Sequence, residues 1–544
     1  MPSYIDSRRV LACCFFCLFT TAALAVQSQP ETYRSQETLK AKTRLVIVDV
    51  VATDSHGQAV TNLKTDDFTV LEEGKPQKIS NFTFQHPGEG AGALPPLLPP
   101  HVVTNVPAFK SGLLNVILFD GINGEFASQA YARDQLIKFF SSGTLDQPVA
   151  VFALESRVRL LHDFTTDAAA LKAAIEKYQV PAQAATTESF ESRESPFATY
   201  GDFHTNERNI ETTLNQLNAL AKILAGYPGR KNLIWLSESF PLSLFPEQIL
   251  RSSQVGDVAD NGHGGPERGA PDTFDTMVQN ATFKNFAALV KKVAEAMMGA
   301  QVAVYPVDAA GVGKNDHVTS QHTANDMAER TGGKAFHNSN ELASSMRASL
   351  NDGSTYYTLE YYPENRKWDG QFRTIQIKTE RSGVSLRYRL GYYAVDPVQL
   401  EKDEAGKISE EFSRFLQKDA PGIAEVRFQA GVMPPASDTR NKLLVNFAVD
   451  PHTVLFERSD DGVEHAKLIC TIWAYGKDQD KPIMSKGDTV TADLKPEVYA
   501  QVMKQYFPCK QELDLKPGTY TLRLGVLDRN SNQMGTTSTA VTLQ

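Results

Sequence analysis

Four carboxylates in this chain stand where they could act together on a cation. Asp120, Glu155, Glu238 and Asp308 each directly follow an apolar run: Leu113–Phe119, Val149–Leu154, Asn232–Ser237 and Val302–Val307. If those runs are parallel strands of one open sheet, the four acids share its carboxyl edge, where ligands bind in open α/β folds. Carboxylates held together repel one another, and a divalent cation relieves that repulsion. The alternative is that they cap the helices that follow, or are solvated. The sequence leaves both open.

Other chemistry finds less support. A serine hydrolase needs Gly-x-Ser-x-Gly at a strand-to-helix turn, and Leu236-Ser237-Glu238-Ser239-Phe240 has no glycine. Gly311-Val312-Gly313-Lys314-Asn315 has Asp308 where a phosphate loop needs Gly and Asn315 where it needs Ser or Thr. No Gly-x-Gly-x-x-Gly opens a helix after the first strand. His317 and His322 are five apart, off the spacing of a helical zinc pair. Asp66-Asp67 and Asp460-Asp461 read as turn or solvated charges. Tyr356, Tyr357, Tyr361, Tyr362, Tyr392 and Tyr393 read as strand residues packed on cross-strand neighbours rather than a stacking platform. A metal-assisted hydrolase on the carboxylate rim lacks an obvious base.

The elements that must position the acids can be read from periodicity. After Leu113–Phe119 a helix is expected with Phe126, Ala130, Ile137 and Phe140 on one face. Val158–Leu161 pairs beside the second strand, and Ala168–Tyr178 is helical. Leu214, Leu217, Ala221 and Leu224 mark a helix closed by Gly226 and Pro228, and Phe286, Val290, Val293 and Met297 mark another. Ala324–Arg330 forms a short helix. Strands alternating with amphipathic helices imply a mainly parallel sheet covered on both faces. Tyr356–Tyr362, Phe372–Lys378 and Val384–Tyr388 are expected to complete its edge. Inserts at about 180–208 and 241–275, rich in Ser, Glu, Gly and Asp, read as surface loops.

At 544 residues the chain has room for three or four domains. Before the α/β region, Leu45–Val51 and Phe68–Leu71 suggest a small Ig-like β domain over 40–85, followed by a Pro/Gly-rich linker over 86–110. After it, 396–420 is a helical linker with Ile408, Phe412 and Phe415 on one face. Residues 421–544 read as strands and turns of a β-sandwich. The expected fold class is therefore multidomain α/β plus β, with a Rossmann-like α/β domain over 111–395 between two β domains.

Residues 1–25 pair Arg8-Arg9 with an apolar run ending in Ala23-Leu24-Ala25, the pattern of a secretory signal peptide. The run is short for a membrane span, and no later segment is long and apolar enough to cross a bilayer. Export to the periplasm, the cell surface or the medium is expected. The 55 Lys+Arg against 64 Asp+Glu give a formal charge of −9, which argues against non-specific nucleic-acid binding. Cys13, Cys14 and Cys17 lie in the leader, leaving Cys470 and Cys509. Two cysteines in an exported chain suggest one disulfide, closing a loop of about 40 residues and contributing on the order of 4 kcal/mol. Two free buried thiols are the alternative.

Several stretches together resemble a known domain. They are Val50–Gly57 with Asp66–Gly74, Val116–Asn123, Pro228–Ser237, and Tyr356–Pro363 with Gly391–Ala394. In order and spacing they resemble the von Willebrand factor A domain, and more narrowly the bacterial VWFA-related proteins typical of Acidobacteria. The likeness covers about 40–395. It implies protein recognition without catalysis, often through a metal-ion-dependent adhesion site reading Asp-x-Ser-x-Ser, with a Thr and an Asp from later loops. Hard oxygen ligands of that kind suit Mg²⁺ or a similar divalent cation. Asp120 takes the first position, but Ile122 and Gly124 replace the serines. Asn123 offers a carbonyl in a different register, Thr212 or Thr213 fills the threonine role, and Glu238 stands near the later Asp. The resemblance thus implies a degraded metal site of Asp120, Asn123, Thr212 or Thr213, and Glu238. The expected partner is an extracellular or cell-envelope protein. The competing expectation is a metal-independent scaffold binding through loops 180–208 and 241–275.

Overall fold

A computed structural model describes residues 45–86, 98–107, 113–141, 143–180, 196–240, 286, 288–309, 318–337, 342–395, 408–435 and 442–543. The proposed leader, the insert 241–275 and most of the insert 180–208 lie outside the described residues. Lys42–Gln544 forms one compact unit.

The central sheet holds β6 (Leu114–Asp120), β7 (Val149–Leu154), β8 (Val158–Thr165), β9 (Lys231–Ser237) and β10 (Val302–Asp308), in the order β10-β9-β6-β7-β8. All pairs are parallel except β7–β8. The first strand is central and the chain winds outward to either side, which is the doubly wound arrangement. β6 is apolar almost throughout because it is buried on both faces. Val116 and Leu118 enter one core with Leu214, Leu217 and Leu224 of α3 (Pro196–Ala225) and Val290, Val293 and Met297 of α4 (residues 288–299). Ile117 and Phe119 enter the other, against α1 (Phe126–Ser141), α2 (Ala168–Lys177) and α6 (Leu342–Asn351). Between β10 and α6 lies α5 (Val318–Thr331).

Two expectations need correction. The buried face of α1 carries Ser128, Gln129, Ala132, Leu136, Phe139 and Phe140, whereas Phe126 is 59% exposed. The helix is rotated from the apolar stripe because two polar residues near its start, Ser128 and Gln129, are buried, and Gln129 donates to the Gly124 carbonyl at 3.0 Å. Second, Tyr356–Tyr362 and the strands after it do not complete the central sheet. β11 (Tyr356–Tyr361) lies between β1 (Val46–Thr53) and β4 (Ile79–Gln85), and β12 (Phe372–Thr379) between β2 (Phe68–Glu72) and β14 (Gly391–Tyr393). With β3 (Lys75–Gln77) and β13 (Ser385–Arg387) they make two four-stranded sheets. In β12, Arg373, Ile375 and Ile377 are buried while Thr374, Gln376 and Lys378 are exposed. That alternation belongs to a half-buried antiparallel strand, not to a strand covered on both faces. The N-terminal strands are thus completed by strands 270 or more residues later, with the α/β domain inserted between them.

The tyrosines of these strands pack inward as expected. Tyr356, Tyr357, Tyr361, Tyr392 and Tyr393 are buried, and Tyr362 is exposed. Tyr361 and Tyr392 hydroxyls donate to Glu72 Oε2 at 2.9 and 3.0 Å, and Arg373 sits 3.4 Å from Glu72 Oε1. Burial and the Glu72 charge together push both phenols up.

In the C-terminal region two β-sheets share one core. One sheet runs, in order, β15 (Ile423–Ala424), β23 (Met534–Leu543), β22 (Gly518–Asp528), β19 (Glu464–Gly476) and β18 (Glu457–Arg458), with β20 (Met484–Leu494) also on β19. The other runs β21-β17-β16-β5, with β21 at Phe507–Leu513, β17 at Leu443–Val449 and β16 at Phe428–Met433. Its last member, β5 (Val102–Thr104), comes from the stretch read as a linker. α7 (Ile408–Phe415) buries Ile408, Phe412 and Phe415, as the sequence predicts. It lies between β22 (Gly518–Asp528) and α3, where Glu411 meets Lys222 at 2.9 Å. Gly525 makes room for it: a Cβ there would meet Phe412 Cζ and Leu416 Cδ2 at 2.8 Å.

Candidate functional site

Asp120 ends β6 and Ser237 ends β9, the neighbouring strand, so the two side chains meet at the carboxyl edge of the sheet. Asp120 is only 3% exposed. Its Oδ1 accepts from the backbone N–H groups of Ile122 and Asn123, both at 2.9 Å. Its Oδ2 accepts from Asn123 Nδ2 at 3.0 Å, Trp235 Nε1 at 3.0 Å and Ser237 Oγ at 2.7 Å. Ser237 Oγ also lies 2.7 Å from the Ser239 carbonyl. Burial pushes the Asp120 carboxyl up, and the bonds from Asn123, Ser237 and Ile122 oppose that shift.

The other expected residues divide around this centre. Asn123 turns its amide nitrogen to Asp120 and to Thr213 Oγ1, the latter at 2.9 Å. Its oxygen in that place would face a carboxylate, so the orientation is fixed by charge. Thr213, on α3, therefore joins the cluster, whereas the Thr212 hydroxyl donates back to the Arg208 carbonyl at 2.8 Å. Glu238 Oε2 accepts the Glu125 N–H at 2.7 Å. A Cβ on Gly124 would meet Glu238 Cβ at 3.0 Å and Oε2 at 3.1 Å. The glycine at the second serine position is what lets Glu238 close over the loop. Phe126 follows that loop and projects into solvent.

Glu155 and Asp308 stand at the same edge, after β7 and at the end of β10. Glu155 lies by the Tyr178 phenol, which burial and the Glu155 charge push up, and 4.0 Å from Arg159. The four carboxylates share a rim, as the sequence implies. Among the described residues, however, no three His, Cys, Asp or Glu side chains come together as a metal-binding group.

The donor set decides how well Asp120 fits a cation. A carboxylate offers about four lone-pair directions, and five protein donors already converge on this one. Asn123 is engaged with both Asp120 and Thr213, and a side chain at position 124 would crowd Glu238. These residues do not fit the adhesion-site cation. Trp235 and Ser237 were not legible as site residues: Trp235 reads as an ordinary member of an apolar strand. A serine at the end of a strand beside a buried acid was the available signal.

No model of a known family matches the chain, and no curated protein matches its sequence. Solved structures similar to it include von Willebrand factor type A from Catenulispora acidiphila, at 10% identity over 62% of this chain and 81% of that one, with a TM-score of 0.24. The ArnB paralog VWA2 from Sulfolobus acidocaldarius is similar over 93% of this chain and 76% of that one, at 8% identity and a TM-score of 0.22. An aerotolerance-related membrane protein from Bacteroides fragilis matches over 44% of this chain and 99% of that one, at 10% identity and a TM-score of 0.23. Likeness this partial has no bearing on site or partner. The doubly wound order of the central sheet is what defines the fold class: an open α/β sheet in a chain that also carries several β-sheets. Among the described residues no helix is long and apolar enough to cross a membrane.

Proposed function

We propose that this is an exported, non-catalytic binding protein of the VWFA-related group, which recognises a protein ligand at the carboxyl edge of its central sheet without a cation in the contact. The supporting observation is the Asp120 carboxylate, filled by five protein donors, two of them backbone N–H groups of the loop that leads to the exposed Phe126. In a cation-bridged contact the first ligand must keep a lone pair for the metal. Here the same acid fixes the loop from below, and Glu238 fixes it from the side. Phe126, exposed in the first turn of α1 just after a loop held in this way, loses little freedom on binding, as suits an interface anchor. The partner is an envelope or extracellular protein, which agrees with the expected leader and the acidic charge.

Calorimetric titration of the chain with Mg²⁺, Mn²⁺ and Ca²⁺ tests the cation-free part. No saturable heat up to millimolar concentrations is expected, for the wild type or for Asp120→Ala. Saturable binding lost in Asp120→Ala would overturn it and restore the metal-bridged reading. The rim itself is tested by cross-linking to envelope proteins: Phe126→Asp should abolish the cross-linked product and EDTA should not. A product that survives Phe126→Asp and disappears on deleting 241–275 would move recognition to the insert.

A further inference from the structure

Cys470 and Cys509 lie far from the rim in sequence, in the core of the C-terminal sandwich. β19 turns Ala466, Leu468, Cys470, Ile472 and Ala474 inward, and β21 turns Phe507, Cys509 and Leu513 inward. The two strands belong to different sheets, so these residues face one another across the sandwich. Both cysteines are buried, at 0% and 5% exposed, and both are free thiols. The Cys509 thiol, close by, together with burial pushes the Cys470 thiol well up. A second contact holds the strands at the same level: Gln511 Nε2, two residues along β21, donates to the Cys470 carbonyl. The surrounding core is aliphatic and aromatic, with Phe447, Leu468, Leu522 and Leu524 among its members.

We propose that Cys470 and Cys509 are an oxidation site, closing to a disulfide that staples the two sheets once the chain meets a disulfide-bearing oxidant. One cysteine thiolate attacks a sulfur of the oxidant, forming a mixed disulfide and releasing one oxidant thiolate. The second cysteine thiolate attacks the first cysteine's sulfur, the Cys470–Cys509 bond forms, and the other oxidant thiolate leaves. The two cysteine protons end on the two departing thiolates, and the electron pair goes to the oxidant. A buried thiol with a raised pKa is a poor nucleophile, so the exchange precedes closure of the sandwich. The bond then shortens the freedom of a loop of about 40 residues in the unfolded chain.

The test uses the full chain, refolded in a buffer of oxidised and reduced glutathione, then denatured with an alkylating agent and digested without reductant. The expected product is one peptide pair joining Cys470 to Cys509, which separates on reduction. Finding both cysteines alkylated, or either joined to another partner, would overturn the proposal. Reductant should also lower the thermal midpoint of the oxidised wild type and leave a Cys470→Ala/Cys509→Ala variant unmoved. Equal shifts in both would count against the staple. If that variant does not fold, the peptide map on the wild type decides.

Discussion

Asp120 holds five hydrogen bonds in a site with almost no solvent, and each donor around it has been desolvated for its sake. Removing one partner of a buried bond costs about 1–3 kcal/mol when the other is left unsatisfied. Trp235→Phe removes one donor of five and is expected to lower unfolding free energy by roughly 1 kcal/mol. Asp120→Ala orphans several donors at once and is expected to cost about 3 kcal/mol or more. Urea titrations read both, and equal, negligible losses would mean the cluster is not the keystone it looks. Lys231, at the start of β9, gives a pH signature. Burial pushes its ammonium down to about 7, from an ordinary 10.5. Below about 7 folded and unfolded chains both carry the proton, and the cost of the buried charge is complete. Between about 7 and 10.5 only the unfolded chain carries it, so stability rises with pH, by up to about 1.4 kcal/mol per unit. Lys231→Met is expected to be more stable than wild type near pH 6, with the difference shrinking toward pH 9, as paired urea midpoints at roughly those values would show.

At the scale of elements, strand identity was plain in the residues and pairing was not. β6, β7, β9 and β10 announce themselves as apolar runs, and the acids that end them fall on one edge as those runs require. The partners of Tyr356–Tyr361 could not be read, because an antiparallel pairing with residues about 300 positions earlier leaves no local mark. What was legible, and outweighed by the expectation of a contiguous domain, was the alternating pattern of Phe372–Thr379. The phase of α1 was not legible because two polar residues, Ser128 and Gln129, are buried on it, and the Gln129 bond to the Gly124 carbonyl leaves no apolar mark. Of the candidate ligands, the sequence picked out Asp120, Asn123, Thr212 or Thr213, and Glu238, but not that Trp235 and Ser237 would occupy the acid's remaining lone pairs. Gly124→Ser tests that reading. It supplies the hydroxyl of an adhesion motif, yet its Cβ meets Glu238 at 3.0 Å. The expected result is a lower thermal midpoint and no gain in Mg²⁺ affinity; a tight Mg²⁺ isotherm would sink it.

At the scale of the whole molecule, the chain leaves the first β unit at Gln85, contributes β5 to the C-terminal sandwich, and only then builds the central sheet. It returns to the first unit with β11–β14 and reaches the C-terminal sandwich again through α7. A chain ending at residue 351 would keep β1–β4 but lose β11, β12, β13 and β14, which hold them. It is expected to show those strands unprotected in hydrogen exchange while the central sheet persists, and full protection of Val46–Thr53 would contradict the pairing. This weaving has a consequence for anyone who would take the molecule apart. Beads on a string come loose when the string is cut. Here a protease cut between Gln85 and Val102 leaves β1, β2 and β4 still paired with β11, β12 and β13, and one between Val395 and Ile408 leaves β5 still paired with β16. The units are released only by unfolding a sheet, so dissection at the borders that the sequence suggests would break the pieces it means to isolate.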